Sequence, residues 1–298
     1  MSTVAVVGVG AVGGFFAAQA CRAGNDVTLC IRTPFNELVV ESRGEIIRVR
    51  PRILVNQADA VPVDWVFLAT KAHQTASAAG WLARLCTPET VLVVVQNGID
   101  QVDRVRPFCP VGDILPSVAY CGGELIAPGH VIHRSYGHLI VPDGKAARSL
   151  RQIFAGSAAE VRVTEDFVTA EWLKLCSNVA GNAITALTLQ RFPVFRRPDI
   201  ADLGAAIIEE CIAVATAAGA KIDRSVGRET VERLASLSDD SATSMLYDRV
   251  AGRELEYEVI SGAVVATGAR YGIPTPLNSA MSALLGAVSG RPLTEGVS

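Results

Sequence analysis

The chain has 298 residues, of which 50% are hydrophobic and 19% are charged, and its formal net charge at pH 7 is −3. This length favours about two domains, and the apolar content excludes a largely disordered chain. The chain carries no block of Lys or Arg. The composition therefore argues against nucleic acid as the main partner.

The cysteines and histidines predict neither disulfides nor a metal site. Seven cysteines are scattered along the chain without a Cys-x-x-Cys pair, and only four histidines are present. We therefore expect thiols in a reducing cytoplasm and no bound metal. Residues 1–21 lack charge, but glycines interrupt them and no Lys or Arg precedes them, so they do not fit a secretion signal. Prolines within the uncharged residues 271–290 disfavour a membrane span.

The first half of the chain alternates strand and helix patterns. Strands are predicted at 3–7, 26–31, 65–69 and 91–95, with helices at 13–22 and about 73–85. Short Val-rich runs are typical of strands buried on both faces of a parallel sheet with helices on either side. From about 113 to 163, shorter runs predict further strands and one helix near 145–155.

The second half has helical patterns, at about 165–187, 199–218, 228–236 and 254–270. Thr164 is expected to cap the first of these helices, with Glu165 and Asp166 in its first turn. The sequence thus predicts an α/β Rossmann-type N-terminal domain over 1–163, followed by an all-α C-terminal domain over 164–298.

A glycine motif lies between the first predicted strand and helix, as Gly8-x-Gly10-x-x-Gly13. In a dinucleotide-binding motif the first glycine permits a tight turn, the second lets the backbone approach a pyrophosphate, and the third allows close helix–strand packing. The second strand ends in Arg32, where NAD-binding proteins usually have Asp or Glu for the ribose 2′-hydroxyl. A guanidinium there suits a 2′-phosphate, so we expect NADP(H); a solvent-facing arginine is the alternative.

Two more polar segments follow predicted strands. Lys71 comes just after the strand at 65–69, and Asn97-Gly98 follows the strand at 91–95. Ligands of open α/β sheets bind beyond the carboxyl ends of the strands, so both are site candidates. Asn97-Gly98 is also compatible with a simple turn, and His73 with a surface position.

Lys174, Asn178 and Asn182 recur every four residues in an apolar helical segment. Such residues form a gently spiralling stripe on one side of a helix. Burying lysine and asparagine without partners is costly, so the stripe predicts a functional cleft. A salt bridge from Lys174 to Glu171, with the asparagines facing another helix, is the structural alternative.

Five motifs occur in order along the chain: the glycine motif, TKAHQ at 70–74, QNG at 96–98, KLCSNVAGN at 174–182 and SMLYDRVAGRELE at 244–256. Together they resemble the ketopantoate reductase family, 2-dehydropantoate 2-reductase, over nearly the whole chain. The resemblance implies NADPH-dependent reduction of ketopantoate to (R)-pantoate in pantothenate and coenzyme A biosynthesis.

The resemblance also implies a role for each matching residue. Lys174 would be the general acid that protonates the carbonyl oxygen while NADPH delivers hydride, and Glu256 would contact the substrate's hydroxyl. The implied substrate-binding residues are Asn97, Asn178, Asn182 and Ser244. The implied cofactor-binding residues are Gly8, Gly10, Gly13, Arg32, Lys71 and Asn97. A positioned ammonium suits this chemistry, because ketone reduction develops negative charge on oxygen.

The sequence departs from the family at Ser261, where many members have Asn, and in the segment 187–200. These departures leave reduction of another 2-oxo acid open. An opine-type dehydrogenase and a non-enzymatic NADPH sensor are less favoured, because no histidine lies in 164–298 and a sensor needs no proton donor. The expected partner is a small 2-oxo acid, with neither nucleic acid nor membrane, in a cytoplasmic monomer or homodimer.

Overall fold

A computed structural model describes residues 1–109 and 112–293 of the chain. The chain forms two compact units, the first spanning Met1–Phe167 and the second beginning at Val168. The fold class predicted from the sequence is confirmed, because the first unit is α/β and the second consists of helices. The functional assignment of the two predicted domains stays a prediction.

The described part of the first unit contains two sheets and four α-helices. The strands are β1 (Thr3–Val7), β2 (Asp26–Cys30), β3 (Leu38–Ser42), β4 (Glu45–Val49), β5 (Arg52–Leu54), β6 (Trp65–Leu68), β7 (Val91–Val94), β8 (Asp113–Pro116), β9 (Val118–Ala127), β10 (His130–Pro142) and β11 (Glu160–Thr164). The helices are α1 (Ala11–Arg22), α2 (Ala79–Leu85), α3 (Gln101–Val105) and α4 (Lys145–Ile153).

The first sheet has six strands in the order β5-β2-β1-β6-β7-β8. All of its strand pairs are parallel, as the Val-rich runs predict. In its register Val7 lies beside both Cys30 and Leu68, and Leu68 lies beside Val94. The carboxyl ends of four central strands are therefore level at one edge of the sheet.

The second sheet is built around the long strand β10, which pairs antiparallel with β9 and parallel with both β3 and β11. Helix α1 contacts strands of both sheets. Its residues from Gly13 to Ala20 are all buried, so this helix has no broad solvent-facing surface. Phe15 stacks on His133 of β10, with 4.1 Å between ring centroids.

The second unit contains helices and no strand among its described residues. Its helices are α5 (Phe167–Thr188), α6 (Pro198–Ala217), α7 (Ser225–Ala235), α8 (Ser244–Val250), α9 (Ser261–Tyr271) and α10 (Pro276–Val288). Helix α6 contacts α7, α9 and α10. The carboxylate of Glu210 in α6 accepts hydrogen bonds from the backbone N–H groups of Leu277 and Asn278, each at 2.9 Å, and so caps the start of α10.

Several helix starts differ from the prediction. The predicted helix at 73–85 is α-helical only over Ala79–Leu85 and is preceded by two 3-10 turns, Ala72–Gln74 and Ala76–Ala78. The first part of the predicted segment forms 3-10 turns in place of α-helix, because the hydroxyl of Thr75 donates to the carbonyl of Ala72 at 2.7 Å. The first helix of the second unit begins at Phe167, after Glu165 and Asp166, and has no acidic residue in its first turn.

The prediction of a helix over 254–270 is wrong at its start, because α9 begins at Ser261. The backbone N–H of Leu255 donates to Ser289 at 2.9 Å, and Gly290 donates to the carbonyl of Arg253 at 3.2 Å. These bonds hold the chain before Glu256 in a non-helical form.

The described residues contain no helix long and apolar enough to cross a membrane. Within the same residues, no cluster of three or more His, Cys, Asp or Glu could hold a metal ion. All seven cysteines are thiols. Burial raises the pKa of Cys21 to about 11, with the charge of Asp26 adding to the effect, and burial raises the pKa of Cys30 to about 12.

Candidate active site

The candidate nucleotide-binding residues lie at the level strand ends of the first sheet. Gly8 follows β1 directly, Arg32 lies two residues after β2, and Lys71 and Asn97 lie three residues after β6 and β7. The register therefore brings these four sequence-predicted residues to one edge. This is the edge at which open parallel sheets bind ligands.

The glycine turn joins β1 to α1 and needs glycine for two different reasons. Gly8 has φ +93°, and a side-chain carbon there would lie 2.6 Å from the backbone nitrogen of Thr70. A side-chain carbon on Gly13 would lie 2.1 Å from the carbonyl oxygen of Gly8. Both glycines are therefore required by the fold itself.

Gly10 differs, because no atom lies within 4 Å of the place where its side-chain carbon would be. It is the N-cap of α1, and no side chain caps the helix. The open space and the uncapped N-terminus form a cradle that suits the pyrophosphate of a dinucleotide. The residues present thus fit the nucleotide that the motif predicts.

Arg32 is exposed, and its guanidinium makes no hydrogen bond or ion pair with any residue that the structure describes. A cation that no protein group neutralises is available for an anionic ligand. Arg32 lies beyond the carboxyl end of β2, where the acidic residue of NAD-binding proteins usually lies.

The lysine–asparagine stripe predicted from the sequence lies on α5. Lys174 is half-buried, Asn178 is 9% exposed and Asn182 is 5% exposed. Neither asparagine amide has a hydrogen-bond partner among residues 1–109 and 112–293. Because these amides are not bonded within the described residues, they are available to bind a ligand.

Ser244 is exposed and is the first residue of α8. Its neighbour Thr243 caps that helix by accepting a hydrogen bond from Leu246 N at 3.0 Å. The hydroxyls of Thr243 and Thr185 lie 2.7 Å apart, and Thr185 also donates to the carbonyl of Gly181 at 2.7 Å. This pair ties the start of α8 to α5, about one turn beyond Asn182.

Glu256 is 6% exposed and lies five residues before α9. The preceding segment is fixed by Arg253, which donates to the buried carboxylate of Asp248 at 2.8 Å and through its backbone N–H to the carbonyl of Asp248 at 2.9 Å. The motif 244–256 is therefore a segment fixed by internal hydrogen bonds, and its last residue is a buried acid.

Sequence reasoning missed two polar groups beside the candidate residues. The first group is the pair Gln96 and Arg104, which join the segments of Lys71 and Asn97 by hydrogen bonds. The second is the hydroxyl of Thr185, which lies within hydrogen-bond distance of the hydroxyl of Thr243. Gln96 could have been found from the sequence, because it is the polar residue that directly follows the apolar run 91–95. His73 is exposed within a 3-10 turn, and nothing in its position gives it a role.

The glycine turn on a parallel sheet is typical of a dinucleotide-binding domain, and the second unit carries the lysine–asparagine stripe on α5. The sequence model of ketopantoate reductase PanE/ApbA matches residues 4–146, and the model of its C-terminal part matches residues 166–289. The chain belongs to the ketopantoate reductase family.

Relatives and solved structures agree with this membership. The chain is 38% identical over 291 residues to a 2-dehydropantoate 2-reductase of Mycobacterium tuberculosis, covering 97% of this chain and 98% of the relative. It is 36% identical over 295 residues to one of Caulobacter vibrioides, covering 97% and 100%. The crystal structure of 2-dehydropantoate 2-reductase from Geobacter metallireducens matches with a TM-score of 0.90 and 26% identity, covering 96% of this chain and all of that one.

Proposed function

We propose that this protein reduces 2-dehydropantoate to (R)-pantoate with NADPH. One observation carries the proposal: Asn178 and Asn182, buried and without hydrogen-bond partners among the described residues, continue the line of Lys174 along α5. A 2-oxo acid offers the oxygens that such amides and an ammonium bind. Its reduction also requires a proton donor.

The proposed role of Lys174 is that of general acid. NADPH, when bound, supplies the hydride that is added to C2 of the substrate. The ammonium of Lys174 stabilises the negative charge that develops on the carbonyl oxygen and transfers a proton to it. Glu256 is proposed to contact the substrate's hydroxyl, and Asn178, Asn182 and Ser244 to bind and orient the substrate.

The proposed cofactor residues are Gly8, Gly10, Gly13, Arg32, Lys71 and Asn97. The preference for NADPH is proposed from Arg32, whose exposed guanidinium can pair with a 2′-phosphate. Lys71 and Asn97 are proposed to contact the nucleotide, and Asn97 the substrate as well. Residence in the cytoplasm and a monomeric or homodimeric state stay predictions.

The first test is oxidation of NADPH at 340 nm with 2-dehydropantoate, with NADH in parallel. Efficient turnover that prefers NADPH would support both parts of the proposal. Lys174→Ala is expected to retain NADPH binding and lose turnover by ~10²-fold or more. Normal turnover by this variant would refute the role of Lys174. In Arg32→Asp, the preference should move toward NADH; an unchanged preference would refute the role of Arg32.

A second candidate is reduction of another 2-oxo acid. It is favoured by the position of Phe192 in the segment 187–200, which departs from the family. The ring of Phe192 lies 3.5 Å from the place of a side-chain carbon on Gly181, one residue from Asn182. Ser261 also departs, and its buried hydroxyl has no hydrogen-bond partner within the described residues. A panel of 2-oxo acids in the same assay distinguishes the two candidates.

A further inference from the structure

Gln96 lies between the two polar loops that carry Lys71 and Asn97. Its side-chain amide is 4% exposed. The amide nitrogen donates to the hydroxyls of Thr70 and Thr75, both at 3.0 Å, and lies 3.4 Å from the carbonyl oxygen of Lys71. The side chain at the end of β7 is therefore bonded across to the loop that follows β6.

Arg104 holds the other loop. Its guanidinium donates to the carbonyl of Asn97 and to that of Ile99, each at 3.1 Å. Its Nε lies 3.4 Å from the amide oxygen of Gln96. Because arginine can only donate, that oxygen must face Arg104 and the amide nitrogen must face Thr70. The hydroxyl of Thr75 lies within reach of both amide atoms, 3.0 Å from the nitrogen and 3.2 Å from the oxygen.

These bonds reach the glycine turn as well. Thr70 lies against Gly8, so closely that a side-chain carbon on Gly8 would approach Thr70 N to 2.6 Å. A displacement of Thr70 therefore disturbs the turn that precedes α1. Three separate nucleotide loops are thus connected through one buried amide.

We propose that Gln96 and Arg104 are positioning residues that hold the nucleotide loops in their binding geometry. We call the set Gln96, Arg104, Thr70 and Thr75 the polar brace. The proposal rests on the proposed function, because it assigns the loops of Lys71 and Asn97 to the cofactor. The brace acts through these loops and does not itself touch the reacting atoms.

The hydrogen bonds of Gln96 and those of Arg104 can be removed by separate substitutions. Gln96→Met keeps the length of the side chain but removes the hydrogen bonds of its amide, so it should loosen residues 70–75. Arg104→Lys keeps the charge but loses the fork that binds two carbonyls, so it should loosen residues 97–99. Thr70→Val removes one bond of the brace at nearly constant shape and should shift NADPH affinity in the same direction by less.

The matched control is Thr90→Val. Thr90 is 1% exposed, and its hydroxyl donates to the carbonyl of Val63 at 2.7 Å near the opposite end of β7. This variant also loses a buried hydrogen bond in the first unit. It is expected to lower thermal stability to a similar extent without changing nucleotide binding.

The experiment combines amide hydrogen exchange of the apo-protein with NADPH titration and steady-state kinetics. We expect Gln96→Met to speed exchange in 70–75 and to raise the Kd for NADPH about tenfold. In this variant the KM for the 2-oxo acid should change less than about twofold, since the loosened residues 70–75 carry Lys71 and not Asn97. Thr90→Val should leave both exchange in the loops and the Kd unchanged.

Three results would overturn the proposal. The Gln96 and Arg104 variants could exchange amide hydrogens in both loops at the wild-type rate. Their loops could exchange faster while the Kd for NADPH stays unchanged, or Thr90→Val could lose as much NADPH affinity as they do. Failure of the proposed function would appear separately, as a wild-type protein that does not bind NADPH. Hydrogen exchange would then still decide whether Gln96 and Arg104 fix the two loops, and the missing NADPH affinity would refute their role in cofactor binding.

Discussion

Asn182→Leu is expected to stabilise the second unit while it impairs turnover. The side chain of Asn182 is 5% exposed and has no hydrogen-bond partner in the described part of the chain. An unpaired buried polar group costs about 1–3 kcal/mol, and leucine has the same branching with methyl groups in place of oxygen and nitrogen. Because the amide of Asn182 keeps some contact with solvent, we expect the free energy of unfolding to rise by about 1 kcal/mol.

The assay compares thermal unfolding with steady-state kinetics on the same preparations. The expected gain corresponds to a rise in Tm of roughly 3–8 °C for a unit of this size. The value of kcat/KM for the 2-oxo acid should fall about tenfold or more, because a substrate oxygen loses its donor.

The control is Thr185→Val, on the same helix. Thr185 is fully buried but satisfied, with bonds of 2.7 Å to the carbonyl of Gly181 and to the hydroxyl of Thr243. Its loss should lower the free energy of unfolding by about 1–2 kcal/mol. If Asn182→Leu lowered Tm as much as Thr185→Val does, the reasoning from unpaired amides would be refuted.

Three further predictions concern stability and the nucleotide cradle. Glu210→Gln should lower the free energy of unfolding by about 1–2 kcal/mol in urea titration, because one of two oxygens that cap α10 becomes a donor. Gly10→Ala should leave Tm within about 1 °C, since the added carbon meets no atom, yet raise the Kd for NADPH about tenfold or more; unchanged affinity would contradict the cradle. Burial lowers the pKa of His133 from its ordinary value near 6.5, so the unfolded chain is protonated first and stability falls as pH drops below that value. Urea titrations at several pH values should show this loss reduced in His133→Gln but retained in the exposed-site control His73→Gln.

The sequence was sufficient for the elements that repeat a simple pattern. The Val-rich runs predicted the parallel strands, and the glycine spacing predicted the turn before α1. The second sheet was missed in part because β3 and β4 are joined by only Arg43 and Gly44, both with positive φ. The pairing of β10 with β3, some ninety residues earlier in the chain, leaves no local signal.

The candidate site was predicted in the same uneven way. The stripe on α5 follows from helical spacing, so its shared face could be predicted from residue numbers alone. The absence of partners for Asn178 and Asn182 among the described residues depends on neighbouring helices and needed coordinates. The brace of Gln96 also required them, because its bonds join residues 21 to 26 positions apart in the chain.

The burial of α1 between two sheets has a consequence for synthesis of the chain. The turn at 8–13 leaves the ribosome before β9 and β10, yet α1 contacts both strands, which are complete only at residue 142. A nascent chain that has made only the first βαβ unit therefore lacks β9 and β10, which cover one side of this helix. Contacts of such high sequence separation also form slowly. A fragment ending near residue 109 is accordingly expected to be aggregation-prone and unable to retain the nucleotide, although it contains the complete glycine motif.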